Sequence, residues 1–205
     1  MVIRELKPSQ RVEGRWLAFL EDGTILRLGE SEVIDFALYA GKELTEEESA
    51  ALQDSARRSA LKGKTIELLS RKPHSRKELE RKLAQWEADK EETASICDRM
   101  EQLGYLNDAA YAARVVRHYS AKGYGERKLR DELYRRGVSR DLWDEALKQA
   151  EASDGALDDF IEKKLAGKQP DQKELKKVSD ALARRGYNWS DISAALRRYG
   201  AECDE

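Results

Sequence analysis

Residues 129–137 have the sequence Leu-Arg-Asp-Glu-Leu-Tyr-Arg-Arg-Gly, and residues 178–186 have the sequence Val-Ser-Asp-Ala-Leu-Ala-Arg-Arg-Gly. The two stretches lie 49 residues apart, and each has two apolar residues four positions apart followed by Arg-Arg-Gly. Leu79 and Leu83 repeat the apolar pair 50 residues before the first stretch. Apolar residues four positions apart share one face of an α-helix. The recurrence therefore predicts three copies of one helical unit.

Apolar residues in the neighbouring helices recur at the same interval. The first helices carry Leu61, Tyr111 and Phe160, followed by Ile66, Val116 and Leu165, and the third helices carry Ile96 with Met100, Trp143 with Leu147, and Ile192 with Leu196. Ser75, Gly125 and Asp171 are suited to open the three second helices. One such unit cannot bury its apolar stripe alone, so neighbouring units stack. The predicted fold is mainly α, an elongated tandem array of three-helix repeats.

The N-terminal part has a different pattern. Two apolar runs, residues 14–20 and 25–28, flank Asp22-Gly23, which indicates a β-hairpin because both turn residues tolerate positive φ. Ser31 is predicted to cap a short helix through Tyr39, stopped by Gly41, and Thr45 to Glu48 form a capping box for a charged helix toward Arg58. The predicted organisation is an N-terminal extension with the β-hairpin, short helix and linker helix (1–58), then repeats at 59–107, 108–153 and 154–205.

Charge is abundant and unevenly distributed. Hydrophobic residues make up 40% of the 205 residues and charged residues 38%, which predicts a thin core under a charged surface. The formal net charge is −2, but residues 1–50 hold six Lys/Arg against eleven Asp/Glu, whereas residues 57–90 hold eleven against five. Such segregation favours electrostatic docking over small-molecule chemistry.

No constellation for catalysis, metal binding or a cofactor is evident in the sequence. Cys97 and Cys203 are neither paired nor near other ligands, and His74 and His118 lie far apart. Gly123 and Gly125 lack the remaining elements of a phosphate-binding loop. Without a signal peptide or an apolar span, we expect a cytoplasmic protein that does not enter a membrane.

Basic residues supply the candidate binding surface. We expect them to form a ridge across adjacent helices that suits phosphates or an acidic protein groove; its members are Arg76, Lys77, Arg81, Arg114, Arg117, Lys122, Arg127, Lys128, Arg135 and Arg136. A solvated helix face is the alternative for each residue taken singly. A DNA-reading helix-turn-helix is disfavoured because the third helix of the middle unit begins with Asp141, Asp144 and Glu145.

The run Gly104-Tyr105-Leu106-Asn107-Asp108, followed by the stretch from Gly125 to Val138, resembles the central motif of the bacterial RecX regulatory proteins. The resemblance covers about residues 60–200 and extends to the N-terminal strands. It implies a protein that binds the RecA filament in its helical groove and inhibits or modulates its ATPase activity, strand exchange and growth.

The resemblance also suggests roles for individual residues. The matching residues Gly104, Tyr105, Leu106 and Asp108 are expected at the joint between repeats, and Asp108 is expected to cap the helix that starts there. We expect a monomer. The alternative function is a helical module that binds single- or double-stranded DNA without RecA.

Overall fold

A computed structural model describes residues 1–150, 155–165 and 171–198, and this part of the chain is mainly helical. The strands are β1 (Ile3–Pro8), β2 (Arg15–Leu20) and β3 (Ile25–Gly29); the helices are α1 (Glu30–Asp35), α2 (Glu46–Arg71), α3 (Arg76–Gln85), α4 (Lys90–Gln102), α5 (Asp108–Ser120), α6 (Glu126–Arg135), α7 (Trp143–Leu147), α8 (Gly155–Leu165), α9 (Gln172–Arg184) and α10 (Trp189–Arg198). The chain divides into a first unit, residues 1–71 with 83–90, and a second unit, residues 72–82 with the chain from residue 91.

The first unit contains an antiparallel sheet with the strand order β1-β2-β3. The predicted hairpin is present as β2 and β3: the Thr24 N–H donates to Asp22 Oδ1 at 2.9 Å, and Gly23 has φ +86°. β1 was not predicted as a separate strand, because its sequence from Ile3 to Pro8 carries alternating charges and ends in proline. The apolar side of the sheet belongs to a core of Ile3, Ala18, Leu20, Leu28, Leu38, Leu44 and Leu52.

Helix α1 is shorter than predicted, and Ser31 does not cap it. The helix starts two residues earlier, because Gly29 takes the N-cap position and its N–H donates to Glu32 Oε2 at 2.7 Å. It ends at Asp35, and Ala37 then adopts φ +45°. The buried Glu32 carboxylate also accepts from Ser55 at 3.2 Å and Ser59 at 2.5 Å, so it fastens α1 to α2.

Helix α2 opens with the predicted capping box. The Glu48 N–H donates to Thr45 Oγ1 at 3.1 Å, and the Thr45 N–H donates to Glu48 Oε2 at 2.9 Å. The helix then continues without a break to Arg71. The domain boundary predicted at residue 58 therefore lies inside a continuous helix.

The periodic leucines form the cores of the repeats. In the middle repeat, α5, α6 and α7 enclose a cluster that includes Val116, Leu129, Leu133, Trp143 and Leu147. In the last repeat, α8, α9 and α10 enclose the equivalent cluster of Leu157, Ile161, Leu165, Leu175, Val178, Leu182, Ile192, Ala195 and Leu196. The burial of Trp143, whose indole N–H donates to the Val138 carbonyl at 3.0 Å, agrees with its predicted place in the core.

One predicted equivalence is wrong by one position. Val116 and Leu165 are buried, but Ile66 is 39% exposed and its neighbour Thr65 is fully buried. The Thr65 hydroxyl donates to the Leu61 carbonyl at 2.8 Å, which satisfies its polar atom inside the helix. Hydrophobicity alone therefore assigned the buried position to the wrong residue.

The second helix of each later repeat ends against the start of the second helix of the repeat before it. At the start of α3, Ser75 Oγ donates to the Arg136 carbonyl at the end of α6, at 2.5 Å. At the start of α6, the Gly125 N–H donates to the Arg185 carbonyl at 3.0 Å, and the Arg127 N–H donates to the Gly186 carbonyl at 3.1 Å. These bonds satisfy carbonyl and N–H groups that a helix end leaves unpaired, and they bring opposite ends of helix dipoles together.

The glycines at these two joints are required by close approach. Gly137 and Gly186 have φ of +69° and +92°, and a Cβ at Gly186 would lie 2.5 Å from the backbone nitrogen of Lys128. A Cβ at Gly125 would lie 2.5 Å from the backbone of Gly186 and Tyr187. Because these are backbone atoms, the joint cannot yield without separating the helices.

We expect Gly125→Ala to lower the free energy of unfolding by roughly 1–3 kcal/mol, since the added methyl group would push α6 away from the end of α9. The matched control is Gly63→Ala, which lies inside α2, where a Cβ would meet nothing within 4 Å. That variant should gain about 0.5–1 kcal/mol through helix propensity. Urea unfolding followed by circular dichroism measures both, and equal effects of the two substitutions would contradict the account of the joint.

Candidate partner-binding surface

The predicted basic ridge is not uniformly free to bind a partner. Its members fall into three groups: those paired with carboxylates, Arg76, Lys77, Lys128, Arg135 and Arg136; those bonded to backbone carbonyls at the joints, Arg81 and Arg127; and those without an ion pair in the described part of the chain, Arg114, Arg117 and Lys122. Only the third group has neither a carboxylate nor a carbonyl partner among the described residues.

Glu132, which sequence reasoning did not single out, collects three of the predicted cations. Its buried carboxylate lies 3.1 Å from Lys128 Nζ and 3.1 Å from Arg135 Nη1, and it also pairs with Arg136. Arg136 Nη2 donates in turn to the Tyr119 hydroxyl at 3.2 Å. Burial opposes ionisation of Glu132, but the hydrogen bonds from Arg136 and Lys128 outweigh it and lower its pKa to about 2.

Arg76 is enclosed by a second acidic group. Its guanidinium lies 2.7 Å from Asp98 and 2.9 Å from Glu101, both on α4, and 3.5 Å from Glu80 on its own helix. The hydrogen bonds to Glu101 and Asp98 raise the pKa of Arg76. Arg76 therefore connects α3 to α4.

The joints use two more of the predicted cations. Arg127 Nη2 donates to the Ala183 carbonyl at 2.7 Å, and Arg81 Nη1 donates to the Arg135 carbonyl at 3.3 Å. Cationic side chains at the C-terminal end of a helix are favoured by its dipole. Reversing the charge of Arg127, Lys128, Arg135 and Arg136 together would thus disturb the fold as well as any binding surface.

The motif residues lie where the first repeat meets the second. Gly104 has φ +76° after α4, Leu106 is buried, and Tyr105 is 48% exposed. Asp108 does not cap its own helix: Asn107 does so, with its Oδ1 accepting from the Ala110 N–H at 2.9 Å.

Asp108 instead acts on another helix. Its Oδ1 accepts from the Arg76 N–H at 2.8 Å, so it supplements Ser75 at the start of α3. Burial raises the pKa of Asp108. Three residues further along α5, the Tyr111 hydroxyl donates to Glu78 Oε2 at 2.9 Å, and burial with this bond to a carboxylate raises the pKa of Tyr111 to about 12. Sequence spacing could not reveal a contact between residues 32 positions apart.

The cations that remain available lie on α5 and just after it. Arg114 and Arg117 are exposed and three positions apart, so they share the face opposite the buried residues Val115 and Val116. Lys122 Nζ lies 5.5 Å from the centre of the Tyr119 ring. Lys163, Lys164 and Arg185, which the sequence analysis did not place on the ridge, are further cations without a carboxylate partner in the described segments.

The described residues contain no cluster of three His, Cys, Asp or Glu side chains that could hold a metal ion. His74 is buried with Nδ1 2.9 Å from the Lys72 carbonyl, and burial lowers its pKa. His118 packs edge-on against Tyr119. Within the ranges that the structure covers, no helix combines the length and apolarity needed to cross a membrane.

Three family models match the chain in succession: the first three-helix domain of RecX at residues 62–100, the second at 107–147 and the third at 154–196. The regulatory protein RecX of Pseudomonas putida is 35% identical over 139 residues, which are 67% of this chain and 89% of that protein. The chain belongs to the RecX family. RecX of Pseudomonas entomophila is 34% identical over 139 residues, 67% of this chain and 90% of its own length.

Solved RecX structures have the same fold. A crystal structure of regulatory protein RecX aligns with a TM-score of 0.72 and 23% identity over 96% of this chain and 98% of that one. The crystal structure of RecX from Lactobacillus salivarius aligns with a TM-score of 0.61 and 19% identity, over 70% of this chain and 97% of that one. The three tandem helical domains and the small N-terminal sheet are thus confirmed, and RecX proteins are regulatory by name.

We expect Glu132→Gln to lower the free energy of unfolding by about 3 kcal/mol at pH 7, because it removes a charge that three cations surround. The native pKa of Glu132 lies below its unfolded value, so its contribution is complete above about pH 5 and is lost as the pH falls toward 2. The difference between wild type and variant should therefore shrink by more than half at pH 3.

The matched control for this prediction is Glu126→Gln on the same helix, whose carboxylate is 55% exposed and pairs with Arg130. It should cost about 0.5 kcal/mol or less at either pH. Urea unfolding at pH 7 and pH 3 measures the free energy of unfolding of both variants. A loss in Glu132→Gln that is the same at both pH values would contradict an ionised Glu132 carboxylate among the three cations.

Proposed function

We propose that this chain binds the RecA filament and restrains its ATPase activity, strand exchange and growth. The observation that carries the proposal is the exposed pair Arg114 and Arg117 on α5, which has no carboxylate partner among the described residues of a RecX family chain. A repeat protein that contacts several subunits of a filament adds weak contacts through effective concentration. The chain would therefore regulate by docking.

Charge pairing explains why α5, rather than α6, carries the proposed contact. Lys128, Arg135 and Arg136 are held against the Glu132 carboxylate, so a partner would have to compete with this internal pairing for their hydrogen-bond donors. Arg114 and Arg117 face solvent with their charge intact and steer association with an acidic surface. The proposal places the chain in the cytoplasm as a monomer, with three-helix units at residues 59–107, 108–153 and 154–205.

We expect Arg114→Ala with Arg117→Ala to weaken inhibition of RecA-dependent ATP hydrolysis about tenfold, because each exposed cation contributes about 0.7 kcal/mol to docking. The matched control is Arg4→Ala with Arg27→Ala, which removes two exposed cations from the sheet. Both variants should keep the wild-type unfolding midpoint. Equal inhibition by all three proteins would overturn the assignment to α5.

Direct DNA binding is the second candidate, since unpaired cations also suit phosphates. Phosphate binding requires no RecA, and its affinity falls linearly with salt concentration on logarithmic axes. We expect inhibition of RecA to persist at a salt concentration that abolishes binding of the chain to free single-stranded oligo(dT), measured by fluorescence anisotropy. Parallel loss of both activities with salt would favour the DNA module instead.

A further inference from the structure

A basic groove lies within the second unit between the end of α5 and helix α8. It has a volume of about 410 Å³, and the described residues that line it include Lys122, Phe160, Lys163, Lys164 and Arg185, with Asp159 as their single carboxylate. Four cations and one anion leave it strongly positive. This charge contrasts with that around α6, where Glu132 offsets the cations.

Arg185 is held in place without being neutralised. Its Nη1 donates to the carbonyl oxygens of Lys122 at 3.3 Å and Gly123 at 3.2 Å, and its guanidinium carbon lies 4.5 Å from the centre of the Phe160 ring. Neutral carbonyls and an aromatic ring fix the orientation of the side chain but leave its charge intact. Nε and Nη2 have no hydrogen-bond partner in the described parts of the chain. The guanidinium therefore presents an ordered pair of donors.

The lysines complete the positive wall. Lys164 Nζ lies 5.9 Å from the centre of the Phe160 ring, and Lys122 Nζ lies over Tyr119. Lys163 is exposed on α8 and has no ion pair among the described residues. Flexible ammonium groups around a fixed guanidinium suit a ligand that carries several negatively charged oxygen groups on short side chains.

We propose that this groove binds an acidic segment of a protein partner, with a carboxylate on Arg185 and neighbouring carboxylates on Lys122 and Lys163. The inference rests on the proposed function. It specifies that the part of the filament surface that meets the third repeat carries carboxylate groups. A carboxylate matches the free edge of a guanidinium through two parallel hydrogen bonds.

Two features favour a protein segment over single-stranded nucleic acid. Phe160 packs against the core of the last repeat, and Arg185 lies over its ring, so the ring offers no platform for a base. The small volume suits one or two side chains.

The test compares Lys122→Ala with Lys163→Ala against a matched control, Lys173→Ala with Lys177→Ala, which removes two exposed lysines of α9. Arg185 is kept because it also bonds the joint. Affinity is measured for RecA filaments on single-stranded DNA and for the same DNA without RecA. The groove variant should bind filaments about tenfold more weakly than the control and bind free DNA equally.

Two results overturn the inference: unchanged filament affinity of the groove variant, or parallel loss of filament and free-DNA affinity, which would mean that the groove binds phosphates. If wild type does not bind filaments, the proposed function fails separately. In that case a titration of the ¹⁵N-labelled chain with deca-glutamate decides whether the groove binds an acidic segment. Shifts at the Gly123 amide and the Arg185 Nε–H that are absent in the groove variant support it, and no shifts reject it.

Discussion

The repeats are held together where the second helix of one repeat ends against the start of the second helix of the repeat before it. At the ends of α6 and α9, carbonyl groups that no residue of their own helix can satisfy are taken by Ser75, Gly125 and Arg127. This contact requires backbone to approach backbone, which in turn dictates glycine at 125 and 186. The apolar clusters of the middle and last repeats lie on either side of the joint between α6 and α9.

The abundance of charge has a structural explanation as much as a functional one. Helices joined through their ends have thin cores, so polar groups such as the buried Glu132 and the half-buried Asp108 must be satisfied by neighbouring side chains or backbone. Arg136 and Arg76 serve that purpose at the middle and first repeats. The exposed cations on α5 and α8 satisfy no buried carboxylate in the described part of the chain. Cations that have no carboxylate partner within the fold therefore indicate a partner-binding surface better than the local density of cations does.

Periodicity in the sequence predicted the repeat cores because burial of leucine, valine and tryptophan at fixed spacing has few alternatives. It failed where a polar residue took an apolar role, as with Thr65 in place of Ile66, and where a cap came from outside the helix, as with Asp108 on α3. The candidate site was predicted less well than the fold. Whether an arginine is free depends on carboxylates brought near by folding, and Glu132 had no distinguishing pattern in the sequence.

Glu87 occupies in the first repeat the position that Gly137 and Gly186 occupy in the others, and it has the same positive φ, +64°. The backbone conformation alone thus tolerates a side chain, and Glu87 is exposed. At the opposite end, α9 begins with its own cap, Asp171, whose Oδ1 accepts from the Glu174 N–H at 2.7 Å. At the position of Glu87 the first repeat therefore carries an exposed side chain, where the other two repeats have no atom beyond Cα and lie directly against a neighbouring helix start.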